Sequence, residues 1–296
     1  MNQMSFSEFC KEVKREIPVF LPEEYKGADI AVEDVLKNNN TTQRALLIKK
    51  PGSMMCPMIY MHSYYERYLD TNDMTRIVTD IVDLRMSEEE GNHMLNDETL
   101  YDYEKCRDQI MPRLINTKFN VNMLQNMPHK KKEDLSVIYT VELGERENEV
   151  MSMPITNALL DSWEKTKEDI EQAAEDNLKQ RHSYTLEPIT KVLEMEQQEA
   201  ENDVIYVLSN KRKMYGATEI INPEAIETLM KKTGEKKFYL LPSSIHEFLV
   251  VLTNDITTDD LRQMVREVND SVVKQEEILS YNVYTYTREN GLKVVS

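Results

Sequence analysis

Ser243-Ser244-Ile245-His246-Glu247 gathers, on five consecutive residues, the hydroxyl, imidazole and carboxylate that acyl-transfer chemistry uses. A nucleophile, however, needs its base and the orienting acid to converge in space. On an extended strand His246 and Glu247 point to opposite faces, and the chain contains no G-x-S-x-G elbow. The stretch reads first as a turn carrying a partly buried histidine; Ser243, Ser244 and His246 are the weak candidates for a catalytic site. A second cluster, Tyr64-Tyr65-Glu66, has the aromatic faces on which a ligand stacks, although aromatics grouped this way more often fill a core or meet a partner. His62 and Glu66 stand four apart and share one face of a helix, but a metal centre needs more ligands than a single pair. The other histidines are scattered, and there is no H-E-x-x-H. Seven glycines include neither G-x-G-x-x-G nor G-x-x-x-x-G-K. No metal and no cofactor is expected, and acidic residues are too numerous for a catalytic carboxylate pair to stand out.

The elements that position these residues are organised around 237–252. Two runs rich in aromatic and β-branched residues flank Pro242-Ser243-Ser244, which predicts strand, tight turn and strand. The second run is apolar at nearly every position, as in a central strand covered on both faces. Upstream, Ser5 and Glu8 form a capping box ahead of Phe6, Phe9, Cys10, Val13 and Ile17 at helical spacing, with Pro18 expected to end that helix. Strands over 28–36, 45–50 and 58–61 predict a three-stranded antiparallel sheet. Helices are expected at 63–69 and 73–89, a polar surface loop at 85–100, and a further helix over 103–114. Residues 127–134 read as a solvated basic bend, because Lys130-Lys131-Lys132 is too short for a nucleic-acid patch. Strands follow at 135–143 and 149–154, then helices capped by Thr156 or Asn157 and by Thr166. An acidic stretch over 161–203 reads as a solvated helical face with a flexible link at 194–202. A strand at 203–209 precedes a helix that starts at Pro223 and is closed by Gly234. A helix capped near Thr257 and a hairpin at Glu289-Asn290-Gly291 end the chain. This order lacks a regular βαβ rhythm. It predicts an α+β fold with mixed or antiparallel sheets and helices packed on them, either as lobes 1–128 and 129–296 or as one domain.

The 296 residues suffice for a sizeable core. A net charge of −17 repels phosphates and anionic membranes, so neither direct nucleic-acid binding nor membrane docking is expected. Solubility accounts for such acidity, and a basic protein partner is the sharper reading. Three widely spaced cysteines, Cys10, Cys56 and Cys106, exclude a disulfide framework and read as free thiols. With no membrane-length apolar run and no secretory pattern at the N-terminus, a cytoplasmic protein is expected.

SFSEFCKEVKREIPVFLP, PRLINTKFN, PHKKKEDLSVIYTVEL, ITNALLDSWEKTKEDIEQAAEDN, YVLSNKRKMYGAT and FYLLPSSIHEFLVVL recur in this order over nearly the whole chain. Together they resemble an uncharacterised bacterial family, domain of unknown function 5688. A more distant likeness is to domain of unknown function 1444, from which the chain departs at Ile245-His246, where an Arg-Asp pair is the pattern. Neither resemblance implies a mechanism; they imply one continuous unit of sequence in a bacterial cytoplasm. The expected function is that of a non-catalytic binding or interaction protein, with Tyr64, Tyr65 and Glu66 as binding candidates. The alternatives are a hydrolase-like enzyme assembled around Ser243, Ser244 and His246, and an acidic DNA mimic or anti-defence protein.

Overall fold

The computed structural model describes residues 4–53, 56–90, 97–146, 149–181, 183–193, 204–252 and 255–295. The chain divides into two compact units, 1–37 with 41–100, and 38–40 with 101–296. The division after Leu100 lies ahead of the expected 128. The strand that begins at Ile110 pairs with the one that begins at Leu135, so residues on both sides of 128 share one sheet.

In the first unit α1 (Phe6–Phe20) opens on the expected capping box: Glu8 accepts from the Ser5 amide at 2.8 Å, and the Glu8 amide donates to Ser5 Oγ. Phe9, Cys10, Val13 and Ile17 bury one face. Pro18 does not stop the helix. Its missing N–H costs one ladder bond, that to the Lys14 carbonyl, and the helix closes two residues later. Strands β1 (Asp29–Leu36), β2 (Thr42–Lys49) and β3 (Met58–Tyr60) form the antiparallel sheet read from the sequence. Helices α2 (Met61–Thr71) and α3 (Met74–Glu90) complete the core, with Met61, Tyr68, Ile77, Val78 and Ile81 buried. α3 runs through Glu90 and a short α4 (Asp97–Leu100) follows, so helix replaces part of the expected loop at 85–100.

The second unit holds two sheets. Tyr103 starts only a single turn, α5 (Tyr103–Cys106), before β4 (Ile110–Asn116). The expected helix over 103–114 is therefore wrong. Ile110, Leu114 and Ile115 are buried and β4 pairs along its length with β6 (Leu135–Arg146), so non-local pairing overrides a helix-like local pattern. Pro112 is tolerated because β4 is an edge strand. After the turn α6 (Val121–Leu124), the basic segment is itself a strand, β5 (His129–Lys132), on the opposite edge of β6. β7 (Glu149–Pro154) continues along that edge. Helices α7 (Asn157–Ser162) and α8 (Lys167–Gln180) are capped by Thr156 and Thr166 as expected. Asn177 on α8 donates to the carbonyls of Arg107 and Ile110 at 2.7 and 2.9 Å, tying the helix to the start of β4.

β8 (Tyr184–Pro188) and α9 (Ile189–Val192) occupy part of the stretch read as helical face and link; the link at 194–202 lies outside the described residues. β9 (Ile205–Asn210), α10 (Pro223–Thr233), β10 (Lys237–Ser244), β11 (Glu247–Val251), α11 (Thr258–Ser271), β12 (Tyr284–Thr287) and β13 (Gly291–Val294) follow. The six-stranded sheet runs β13-β12-β10-β11-β9-β8, all neighbours antiparallel, with β10 and β11 at its centre. Phe238, Leu240, Leu241, Phe248, Val250 and Val251 are buried. The turn falls at Ile245-His246, not at Pro242-Ser243-Ser244, which belong to β10. β12 pairs only with 237–240, so Pro242 sits where β10 has no partner on that side and its missing N–H breaks no ladder bond.

Candidate functional site

A cavity of about 250 Å³ lies within the second unit. β4 supplies Met111, Pro112 and Arg113, β6 supplies Glu142, and the end of α8 supplies Leu178 and Arg181. The segment leaving β9 contributes Asn210, Lys211, Arg212, Met214 and Tyr215, and the following turn Thr218 and Glu219. The lining therefore mixes apolar and neutral polar side chains with a concentration of charge.

Arg113 is the centre of the charge. Its guanidinium lies 3.6 Å from the centroid of the Tyr215 ring, and Nη2 donates to Ser152 Oγ at 2.7 Å. Burial pushes its pKa below the ordinary arginine value, with Tyr215 and Glu142 opposing; an arginine nevertheless stays protonated. Glu142, only 6% exposed, accepts from Arg181 and from Arg212, the latter at 3.1 Å. One carboxylate thus serves two guanidiniums, while Arg113 has a hydroxyl and an aromatic face. Lys211 is exposed at the rim.

Tyr215 is held by its backbone. Its amide donates to His246 Nδ1 at 3.1 Å, and its φ of 53° is left-handed, as is that of Lys213. Asn210 closes the loop by donating Nδ2 to the Met214 carbonyl at 2.8 Å and accepting from the Met214 amide. Gly216 then passes directly under the Ile245-His246 turn, where Ser209 Oγ donates to the His246 carbonyl at 2.8 Å.

Glu219 is 1% exposed and accepts from Ser183 Oγ at 3.0 Å and Asn222 Nδ2 at 2.8 Å. Burial raises its carboxyl pKa more than these two donors lower it. A raised carboxyl pKa means that its contribution to stability is complete below the unfolded-state value of about 4.3 and is lost as pH rises through the folded value. Glu219→Gln should therefore lose less stability than the parent between pH 5 and pH 7.5, read from urea midpoints at the two pH values. An equal loss would place the carboxylate in a solvated setting.

The residues that sequence reading singled out belong to different units. Tyr64, Tyr65 and Glu66 lie on α2 in the first unit, whereas Ser243, Ser244 and His246 lie in the second. Tyr65 packs among Phe6, Phe9 and Tyr68 and donates its hydroxyl to the Met4 carbonyl at 2.8 Å, which is a core role. Tyr64 lies against the Arg67 guanidinium, and Glu66 is exposed with His62 at 3.6 Å. Ser244 Oγ accepts from the backbone amide of His246 at 3.0 Å; among the described residues no serine hydroxyl bonds the imidazole. His246 alone reaches the cavity, through Tyr215. Cys10 and Cys106 are buried, and neither they nor Cys56 are in a disulfide; burial raises all three thiols and pushes Cys106 up to about 11, so none is an activated nucleophile. No group of three or more potential metal ligands occurs among the described residues, and none of the described helices is long and apolar enough to cross a membrane.

The arginines of the cavity escape sequence reading because four separate elements bring them and Glu142 together. The available signal was Lys211-Arg212-Lys213, a basic run directly after a strand in an acidic chain.

A family model described as a family of unknown function, DUF5688, matches residues 6–288. Nothing supports the more distant likeness to domain of unknown function 1444. No curated protein and no solved structure matches the chain.

Proposed function

We propose, for a chain that belongs to the DUF5688 family, a non-catalytic binding role in which the cavity of the second unit holds a small anionic ligand. The observation that carries this reading is the charge of the cavity wall. Arg113, Arg181, Lys211 and Arg212 face Glu142 and a Glu219 whose ionisation burial opposes, inside a protein of net charge −17. A cluster of one sign in a concave, low-dielectric setting focuses potential on the ligand of opposite sign, even against the net charge of the molecule. Guanidiniums offer planar pairs of donors that suit carboxylate and phosphoryl oxygens. Arg113 is fixed beforehand by the Tyr215 ring and Ser152, so little rotamer freedom is lost on binding. Met111, Pro112 and Leu178 suit an apolar remainder, and the cavity is smaller than the usual drug-sized pocket.

The hydrolase reading has less to support it, since the Ser244 hydroxyl is engaged by backbone and the imidazole by the Tyr215 amide. A basic protein partner on the acidic exterior is compatible with an anion in the cavity and stands as a separate proposal resting on net charge alone.

Calorimetric titration with sulfate at low ionic strength tests the reading. Arg113→Met should weaken binding about tenfold or more, the scale of one charge-assisted interaction, while Lys11→Met on α1 leaves it unchanged. Equal affinities for the parent and Arg113→Met would remove the cavity from consideration.

A further inference from the structure

We propose that His246 is a positioning residue of this cavity: its neutral imidazole accepts the Tyr215 amide, Tyr215 in turn fixes Arg113, and protonation of His246 releases both. The inference rests on the anion-site reading above and adds its regulation.

The geometry is a relay of three contacts. His246 Nδ1 accepts from Tyr215 N–H at 3.1 Å, and the two rings lie 5.7 Å apart. The Tyr215 ring carries the Arg113 guanidinium at 3.6 Å. With Nδ1 accepting, the neutral ring bears its proton on Nε2, toward Glu277 Oε1 at 3.9 Å. A second proton goes to Nδ1 and sets two N–H donors against each other. Among the described residues that amide has no other hydrogen bond, so protonation removes the bond that holds Tyr215 at its strained φ of 53° and lets its ring shift off Arg113.

The charged groups around the imidazole are Glu277 from the turn before Ile278, Glu247 on β11 and Arg113 on β4. Burial is the largest influence and lowers the pKa of His246; the two carboxylates raise it and Arg113 lowers it further, with a net shift downward. The neutral, accepting form is therefore the one present at neutral pH.

The sign of the pH effect separates this device from ordinary electrostatics. Acidification makes the whole protein less negative, favours the neutral form of Glu219 and adds positive charge at His246, and each of these favours an anion. A positioning role predicts the reverse: affinity falls with pH, in proportion to the fraction of molecules with a neutral His246. By linkage, a bound anion must also lower the proton affinity of His246.

Sulfate is the probe, because it stays a dianion across the range. Titration calorimetry of the full chain at pH 7.5 and 5.5 should give weaker binding at the lower pH, by less than the roughly tenfold that an unshifted imidazole would allow. His246→Asn keeps an acceptor near the place of Nδ1 and cannot titrate. Whatever its affinity at pH 7.5, its sulfate binding should not weaken at pH 5.5. Parent affinity that is unchanged or stronger at pH 5.5 overturns the proposal and leaves the anion site standing. So does a folded His246→Asn that weakens as much as the parent. Absence of sulfate binding to the parent at both pH values removes the anion site and this relay together. If His246→Asn does not fold, the parent profile alone still decides the sign.

Discussion

Gly216→Ala should destabilise the second unit by about 3 kcal/mol, the upper end of the cost of forcing a methyl group into a packed site. A Cβ at this position lies 2.3 Å from Ser209 Oγ, 2.6 Å from the His246 carbonyl oxygen and 2.7 Å from the Asn210 amide nitrogen. Two of these atoms are backbone, and the third is a hydroxyl already committed to the His246 carbonyl at 2.8 Å. Relief requires parting β9 from the Ile245-His246 turn, so the mutation also moves Tyr215 and should abolish sulfate binding. Gly234→Ala is the contrast. Gly234 caps α10 at φ 73° with open space around it, so its substitution pays only backbone strain, about 1 kcal/mol. Urea denaturation of the two variants reads the difference. A Gly216→Ala protein no less stable than Gly234→Ala would mean that the close approach at residue 216 does not exist in solution.

That close approach also marks the limit of what sequence alone conveys. Gly216 looks like any loop glycine until β9 and the β10–β11 turn are placed beside it. The hairpin itself is legible, because Phe238–Leu241 and Phe248–Val251 carry β-branched and aromatic side chains that only a sheet interior accommodates. Its turn is misplaced by two residues because Pro-Ser-Ser has turn composition. Nothing local says that β12 stops pairing at Leu240 and leaves Pro242 room. The capped helices α1, α8 and α11 are legible for the opposite reason: their Ser5/Glu8, Thr166/Asp169 and Thr257/Asp260 boxes are local chemistry. Residues 103–114 fail as a helix because their partner is the distant β6. The cavity fails in the same way. Arg113, Glu142, Arg181 and Arg212 come from β4, β6, the end of α8 and the loop after β9, and a spacing that spans four elements carries no periodic signal.

Glu142→Gln should lower stability and raise anion affinity at once. Glu142 is nearly buried and its Oε2 accepts from both Arg181 and Arg212. Removing the charge of one member of a buried pair costs about 3–5 kcal/mol, since the remaining cations keep their desolvation penalty without compensation. The lower end applies here: the Arg212 side chain is 39% exposed and can turn to water, and Arg181 retains Gln109 Oε1 at 3.2 Å. The same loss leaves Arg113, Arg181 and Arg212 facing the cavity with no ionised Glu142 to share, so an incoming anion takes over the role of the missing carboxylate. Sulfate should therefore bind the variant several-fold more tightly than the parent and restore part of its stability, because a ligand bound only to the folded state stabilises by RT ln(1 + [L]/Kd). Thermal melts of both proteins across a sulfate series measure this, with chloride at matched ionic strength removing the contribution of screening. A steeper sulfate dependence for Glu142→Gln than for the parent identifies the Glu142 carboxylate as the internal stand-in for the ligand. Parallel curves would mean that the arginines serve only to tie α8 and the loop after β9 to β6, and that the anion site lies elsewhere.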